Sequence, residues 1–338
     1  MSIKVGLMGF GRIGRNLFRI LYKRDDIQVT AISDIANHKN LEYLLKYDTI
    51  MGRFPDVVSV AEGALYTYGR RVVMLSGREP GDVNWSKLGV DVVVEATARY
   101  RSRADLQKHL DAGAKRVILC VPPLDEPDIT VVMGVNDDKL KAEHRIISNA
   151  SVTAHCAAPI IRLIHEAFGI ERMFFTTVHA YTNDQRLADV PADDLRRSRA
   201  ASENIIPTDT LASHLLERLI PDLQGKITGL ALKVPVPNGS LVDMTMFTRE
   251  QVSRIAVNEV VRTGIAAKFA RYVEYAEDPI VSSDVKHSAY SSTYDSLATT
   301  TLGDHMVKTI AWYDNGWGYA HRVVDLIQRL AQIEGVRL

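Results

Sequence analysis

From residue 3 to about residue 147, short apolar runs alternate with amphipathic segments. That rhythm predicts parallel strands joined by crossover helices. Strands are expected at Ile3–Met8, Ile27–Ser33, Val72–Leu75, Val90–Glu95, Arg116–Leu119, Ile129–Met133 and Arg145–Ile147. Between the first two, Ile13, Leu17, Ile20 and Leu21 fall at helical spacing on one face, which makes the opening a strand-helix-strand unit. After residue 150 the rhythm changes. A helix is expected over Val152–Phe168 and a strand over Met173–Val178 that ends in His179, followed by a long polar stretch, Ala180–Asn204, with few strand signals. Stretches of that length are usually functional or form interfaces. Beyond it, Gly229–Pro235, Val242–Thr248 and Met306–Tyr313 read as strands and Gln251–Phe269 as a helix. The second half therefore reads as a largely antiparallel sheet with helices on one side. A last helix, Gly318–Ala331, aligns Val323, Leu326, Ile327 and Leu330 and is expected to return to the first domain.

Composition narrows the classes of function. The 338 residues suggest about two domains. Apolar residues make up 46%, and 41 basic side chains balance 41 acidic ones. A net charge of zero argues against broad binding of nucleic acid or anionic membranes and for a small-molecule partner. No apolar run approaches the ~18 residues of a membrane span, and the amino terminus leads into a strand rather than a signal peptide. Two cysteines, Cys120 and Cys156, are too few for a disulfide framework. A cytoplasmic location is expected.

The turn after the first strand carries candidate chemistry. Gly9-Phe10-Gly11-Arg12-Ile13-Gly14 fits G-x-G-x-x-G between a strand and a helix, and Asp34 ends the next strand, twenty residues past Gly14. This is the dinucleotide fingerprint of a Rossmann domain. Its glycines allow a tight turn, close approach of the pyrophosphate and close helix packing, and its acid holds the adenosine ribose. A carboxylate there repels a 2′-phosphate, which favours NAD over NADP.

Beyond the fingerprint, a family becomes legible. Lys4 to Arg15, Leu44 to Phe54, Gly134-Val135-Asn136, Ser148-Asn149-Ala150-Ser151, Thr176 to Arg186, Asp194-Leu195-Arg196-Arg197 and Trp312 to Leu326 together resemble phosphorylating glyceraldehyde-3-phosphate dehydrogenase. The resemblance implies a Rossmann domain over 1–151 with 314–338, an α+β substrate domain over 152–313, NAD between them and a homotetramer. Ala180–Asn204 then matches the loop that lines a neighbouring subunit's cofactor site. The resemblance further assigns His179 as general base, Thr97 and Asn315 as cofactor contacts and Asn315 as the residue orienting the nicotinamide amide. Ser151, Thr153, Thr182, Arg197, Thr210 and Lys233 match substrate and anion contacts, so a small phosphorylated or carboxylated substrate is expected.

One position departs from the family at its centre. Where the family has the cysteine that attacks the aldehyde, this chain has Val152. A branched hydrocarbon has neither lone pair nor proton, so it cannot form a thioester. Cys156 lies one helical turn on, about 6 Å deeper, and is expected to fill apolar space. Around the same pocket His155 replaces an asparagine, Leu211 a glycine, Lys233 an arginine, Ala98 a glycine and Gly316 a glutamate, which suggests a paralogue lacking the nucleophile. Lysine also offers a point charge instead of a planar fork. No zinc-type spacing appears, and the pair His155 and His179 alone makes a weak metal site. Three readings follow. The first is an NAD-dependent oxidoreductase acting on a phosphorylated hydroxy or aldehyde compound without covalent attachment. The second is an NAD-binding pseudoenzyme serving as sensor or scaffold. The third is the ordinary glycolytic activity that similarity would assign.

Overall fold

A computed structural model describes residues 2–335. Met1 and the end of the expected returning segment, 336–338, lie outside the described residues. Contacts divide the chain into two compact units, at Ser151/Val152 and again at Tyr319/Ala320.

The first unit is built on a nine-stranded sheet. In spatial order its strands are Ile129–Thr130, Ile146–Ser148, Arg116–Leu119, Val92–Glu95, Ile3–Met8, Ile27–Ser33, Arg70–Leu75, Ala64–Thr67 and Val58–Ala61. All pairs are parallel up to Arg70–Leu75, after which the edge turns antiparallel. Central strands are buried on both faces, which explains why Val92–Glu95 and Arg116–Leu119 lack alternation. The first strand pairs with the second on one side and with Val92–Glu95 on the other. Strand order reverses there, and ligands of such sheets bind beyond the strand ends at that reversal.

Three expectations change in this unit. In helix Arg12–Leu21 the buried face is Gly14, Leu17, Phe18 and Leu21, while Ile13 and Ile20 are only half-buried. Phe18 wins that face by packing edge-on against Phe10, and buried Arg19 is accommodated by donating to the Leu45 and Gly52 carbonyls. The strand expected over Ile129–Met133 stops at Thr130, because the Asn136 side chain takes the Val132 N–H at 2.7 Å and donates to the Thr130 carbonyl at 2.9 Å. The antiparallel edge was not anticipated. Its turns, Glu62-Gly63 and Tyr68-Gly69, both have positive φ at both residues, the conformation that a two-residue hairpin requires.

The second unit is a seven-stranded sheet in the order Ile206–Thr208, Ile227–Val234, Ile170–Ala180, Ser240–Thr248, Met306–Tyr313, Ser292–Leu302, Val273–Ala276. Two of its pairs are parallel and the rest antiparallel. Helix Val152–Phe168 packs across the central strands. The helix expected over Gln251–Phe269 starts at Arg254, where Ser253 accepts the Ala256 N–H, and it widens to a π-turn at Ile265–Phe269. Residues 314–319 stay with this unit instead of opening the returning segment. Asp314 and Asn315 are tied there by Asn238, at 2.7 and 3.3 Å, and Asp314 also receives the His287 N–H.

Candidate active site

In the first unit, the turn after strand Ile3–Met8 owes its shape to two of its glycines. Gly9 has φ +94°, and a Cβ there would lie 2.9 Å from the Thr97 nitrogen; a Cβ on Gly14 would lie 2.3 Å from the Gly9 carbonyl oxygen. Gly11 differs, because a Cβ there meets nothing within 4 Å. It opens helix Arg12–Leu21 without any side-chain cap, so first-turn amides face an open cradle of the kind an anion fills. Asp34 accepts the Phe10 N–H at 2.7 Å through one oxygen and the Ala36 N–H at 2.9 Å through the other. Those bonds fix its carboxylate beside the turn. The Phe10 ring itself is fully buried, so its part in any cofactor site is confined to the backbone. The residues present therefore fit a dinucleotide.

Thr97 is held by residues that sequence reasoning passed over. Its N–H and hydroxyl both donate to one oxygen of Glu95, at 2.8 and 2.5 Å. The other Glu95 oxygen meets His109 Nε2 at 3.1 Å, and His109 Nδ1 meets Trp85 Nε1 at 3.1 Å. An indole N–H can only donate, so His109 accepts at Nδ1 and donates from Nε2. Glu95, His109 and Trp85 are all fully buried. The one available signal was a carboxylate closing the apolar run Val92-Val93-Val94. Next along the chain, Ala98 has φ +60°, a region natural to glycine.

In the second unit, the chemistry gathers where helix Val152–Phe168 begins. Val152 is its first residue, and Ala150 just before has φ +51°. Ser151 immediately precedes the helix, half-buried like Val152. Thr153 Oγ1 lies 3.4 Å from the Tyr313 hydroxyl. Cys156 is wholly buried, its sulfur 3.4 Å from Ser292 Oγ and 3.6 Å from the Ala311 carbonyl. Burial pushes its thiol up to about 12, with the Ser292 contact pulling weakly the other way. Cys120 is also pushed up, by burial first and the Glu95 charge second.

His179 stands directly opposite Lys233 in the parallel pairing, so both side chains share a face. His179 Nδ1 lies 2.6 Å from the Ala180 carbonyl oxygen. Donation from Nδ1 to that oxygen leaves the neutral ring's lone pair at Nε2 and makes the approach of Lys233 to Nδ1 a contact between two donors, not a hydrogen bond. Lys233 Nζ is 3.2 Å from Nδ1 and 3.3 Å from Thr182 Oγ1. The Tyr313 ring meets the imidazole edge-on at 6.1 Å between centroids. His155 instead packs edge-on against Tyr319, and among the described residues no group of three or more His, Cys, Asp or Glu side chains could hold a metal.

Arg197 is ion-paired with Asp184. Burial works to raise the Asp184 carboxyl, but the Thr182 hydroxyl, its own backbone N–H and the charges of Arg197 and Lys233 outweigh it and hold it below its ordinary value. Thr182, Arg197 and Lys233 are thus gathered around one carboxylate. The Thr210 hydroxyl accepts the Ala212 N–H at 3.1 Å, beside exposed Leu211. Asn315 is buried, with its Oδ1 accepting the Ser240 hydroxyl at 3.4 Å. Gly316 donates its N–H to Asp314 at 2.8 Å.

Comparison with known proteins covers nearly the whole chain. Residues 3–103 match the family described as glyceraldehyde 3-phosphate dehydrogenase, NAD binding domain, and residues 151–315 its C-terminal domain. The chain is 46% identical over 332 residues to glyceraldehyde-3-phosphate dehydrogenase of Geobacillus stearothermophilus, covering 98% of this chain and 99% of that one. To glyceraldehyde-3-phosphate dehydrogenase 2 of Bacillus subtilis it is 46% identical, covering 98% and 97%. For the protein of that name in Borreliella burgdorferi the identity is 44%, covering 98% and 100%.

Proposed function

The chain belongs to the glyceraldehyde-3-phosphate dehydrogenase family, and from that premise we propose that it is an NAD-dependent oxidoreductase that works without a cysteine thioester. Its substrate is a small phosphorylated hydroxy or aldehyde compound. One observation carries this reading: the residue that opens helix Val152–Phe168 is a hydrocarbon, and the nearest thiol, Cys156, is buried and pushed up to about 12. A thiol that far from ionisation is not a nucleophile at neutral pH.

The remaining groups suffice for hydride transfer. The amides opening helix Arg12–Leu21 would hold the pyrophosphate of NAD, Asp34 would hold the adenosine ribose, and Thr97 and Asn315 would supply further contacts. When bound, NAD takes or gives the hydride. His179 removes the hydroxyl proton at Nε2, while its Nδ1–H stays on the Ala180 carbonyl. Lys233 and Thr182, with Arg197 beside them, hold an anionic group of the substrate. Ser151 and Thr153 flank a helix start whose dipole favours negative charge. Asp34 selects NAD over NADP by repelling a 2′-phosphate.

The names of the relatives favour a second reading more directly, phosphorylating oxidation of glyceraldehyde 3-phosphate. Chain-wide identity supports it, and the chemistry at position 152 opposes it.

A homotetramer is part of the proposal. Phe174 and Leu230 are 66% and 43% exposed on the second unit's sheet, and Leu187 and Leu195 are 86% and 82% exposed on the stretch after His179. We take these exposed apolar side chains as contact surfaces of that assembly. No helix among the described residues is long and apolar enough to cross a membrane, and a cytoplasmic site of action is proposed.

Screening phosphorylated alcohols, aldehydes and hydroxy acids for NADH formation tests the reading. With the best substrate, His179→Ala should lower kcat by about 100-fold or more. An unchanged kcat removes His179 from the chemistry. Tight NAD binding with no turnover on any candidate would instead favour a sensor or scaffold.

A further inference from the structure

At the end of helix Val152–Phe168 remote from its opening valine lies a hollow of about 370 Å³ among His165, Glu166, Asp222, Lys226, Arg249 and Glu250. It stands well away from the chemistry beside His179. His165 is about 20 Å along the helix from Val152. Lys226 precedes strand Ile227–Val234, whereas Lys233 nearly ends it, which is again about 20 Å. Main-chain bonds fix the walls of the hollow. Arg249 and Glu250 donate their N–H groups to the Gly169 and Phe168 carbonyls at 2.8 and 3.0 Å, and Gly169 donates to the His165 carbonyl at 2.9 Å. Glu217 accepts the N–H groups of Gly225 and Ile227 at 3.0 and 3.4 Å, one on each side of Lys226. Those helix-end carbonyls already have backbone partners, so the basic side chains around them are not spent on capping.

Three donors are left open there. The Ile170 N–H can only donate, and it meets His165 Nδ1 at 3.0 Å, so the neutral imidazole carries its proton on Nε2. Burial keeps this ring below its ordinary range, against the pull of Asp222 and with the help of Lys226 and Arg249. The Asp222 carboxylate stands 3.9 Å from Nε2, beyond hydrogen-bond range. Lys226 Nζ spends one of its three protons, on the Asp222 carbonyl at 2.8 Å. Arg249 lies across Gly169, its Cζ 3.9 Å from where a Cβ would be, and among the described residues its guanidinium makes no hydrogen bond or ion pair. Of the acids, Glu166 is taken by Arg162 and Lys268 at 2.9 and 2.7 Å, while Asp222 and Glu250 are exposed to solvent.

We propose that this hollow binds a phosphoryl group, free or carried by a small molecule, through Arg249, Lys226 and the Nε2–H of His165. The guanidinium and the ammonium supply charge and the imidazole a neutral donor, and a tetrahedral oxyanion has an oxygen for each. The site is separate from the anion contacts beside His179 and does not depend on the redox reading.

Calorimetric titration with inorganic phosphate at pH 7.5 tests this on a chain carrying Lys233→Ala and Arg197→Ala, which removes the cations beside His179. One phosphate per chain should still bind, and adding Arg249→Gln should weaken it about tenfold or more. Asp222→Asn should instead strengthen binding, because it removes a negative charge close to the imidazole. Both side chains are exposed, so melting temperatures should stay at the parent's value. If the doubly substituted background does not fold, Arg249→Gln alone must remove one phosphate site from the otherwise wild-type chain. Glycerol 3-phosphate in parallel identifies the source: tighter binding than the free ion marks a phosphorylated small molecule, equal binding marks phosphate itself, and either supports the site. No binding in the folded background, or binding indifferent to Arg249→Gln and to Asp222→Asn, overturns the proposal.

Discussion

Val152→Cys is expected to label with iodoacetamide at least about a thousandfold faster than either native cysteine. The factor follows from thiolate populations. At pH 7.5 an ordinary thiol near 8.5 is roughly one-tenth ionised, and one opening a helix is more so. Cys156, wholly buried and pushed up to about 12, is almost entirely un-ionised at that pH. Burial slows both native thiols further. Intact-mass measurement over time counts the adducts, and wild-type protein serves as the control. If the rest of the pocket still binds an aldehyde, the variant should also gain NAD-dependent oxidation of glyceraldehyde 3-phosphate. Labelling no faster than wild type would mean that position 152 is closed to chemistry, and Val152 would no longer count as the place of a lost nucleophile.

Gly11→Ala should cost about 100-fold or more in NAD affinity, roughly 2.7 kcal/mol, while leaving the fold in place. The two effects separate because the backbone at Gly11 is extended, with φ −71° and ψ −155°, and the added methyl meets nothing within 4 Å beyond its chain neighbours. It would stand where a pyrophosphate must come close to the helix amides. Gly14→Ala is the contrasting variant. Its Cβ would fall 2.3 Å from the Gly9 carbonyl oxygen, so the turn itself must shift and the melting temperature should drop along with affinity. Calorimetry and thermal melting on the pair distinguish a blocked cradle from a damaged one. Wild-type affinity in Gly11→Ala would contradict the phosphate site.

Elements were legible where burial follows polarity. Strand Met306–Tyr313 alternates half-buried and buried residues along its length, and helix Val152–Phe168 carries a continuous apolar run from Cys156 to Ile161; both lie at their expected bounds. Strand Ser292–Leu302 escaped notice because its buried positions include Ser292, Thr293, Asp295, Ser296 and Thr299. Those polar side chains are satisfied by partners such as Glu274 and Ala276 from the neighbouring strand, which no periodicity can reveal. Helix Arg103–Asp111 buries only Leu106, His109 and Leu110, too few for a pattern. The same division runs through the site. Gly9 to Gly14 and Asp34 were readable because a fingerprint is local in sequence. The supports of Thr97 were not, since His109 reaches Glu95 across 14 residues and Trp85 across 24. The resemblance put Lys233 among the anion contacts, but only strand pairing sets it directly against His179.

The most direct measurement uses wild-type protein with NAD, phosphate and glyceraldehyde 3-phosphate, followed by NADH absorbance and by intact mass after acid quench. Without a lone pair at position 152, no acyl adduct should appear on the protein, and no phosphate-dependent NADH should form at the ~1–1000 s⁻¹ typical of enzymes. An acyl-enzyme of the expected mass, or phosphate-dependent turnover within that range, would contradict a reaction without a thioester and return the chain to the activity its relatives' names describe.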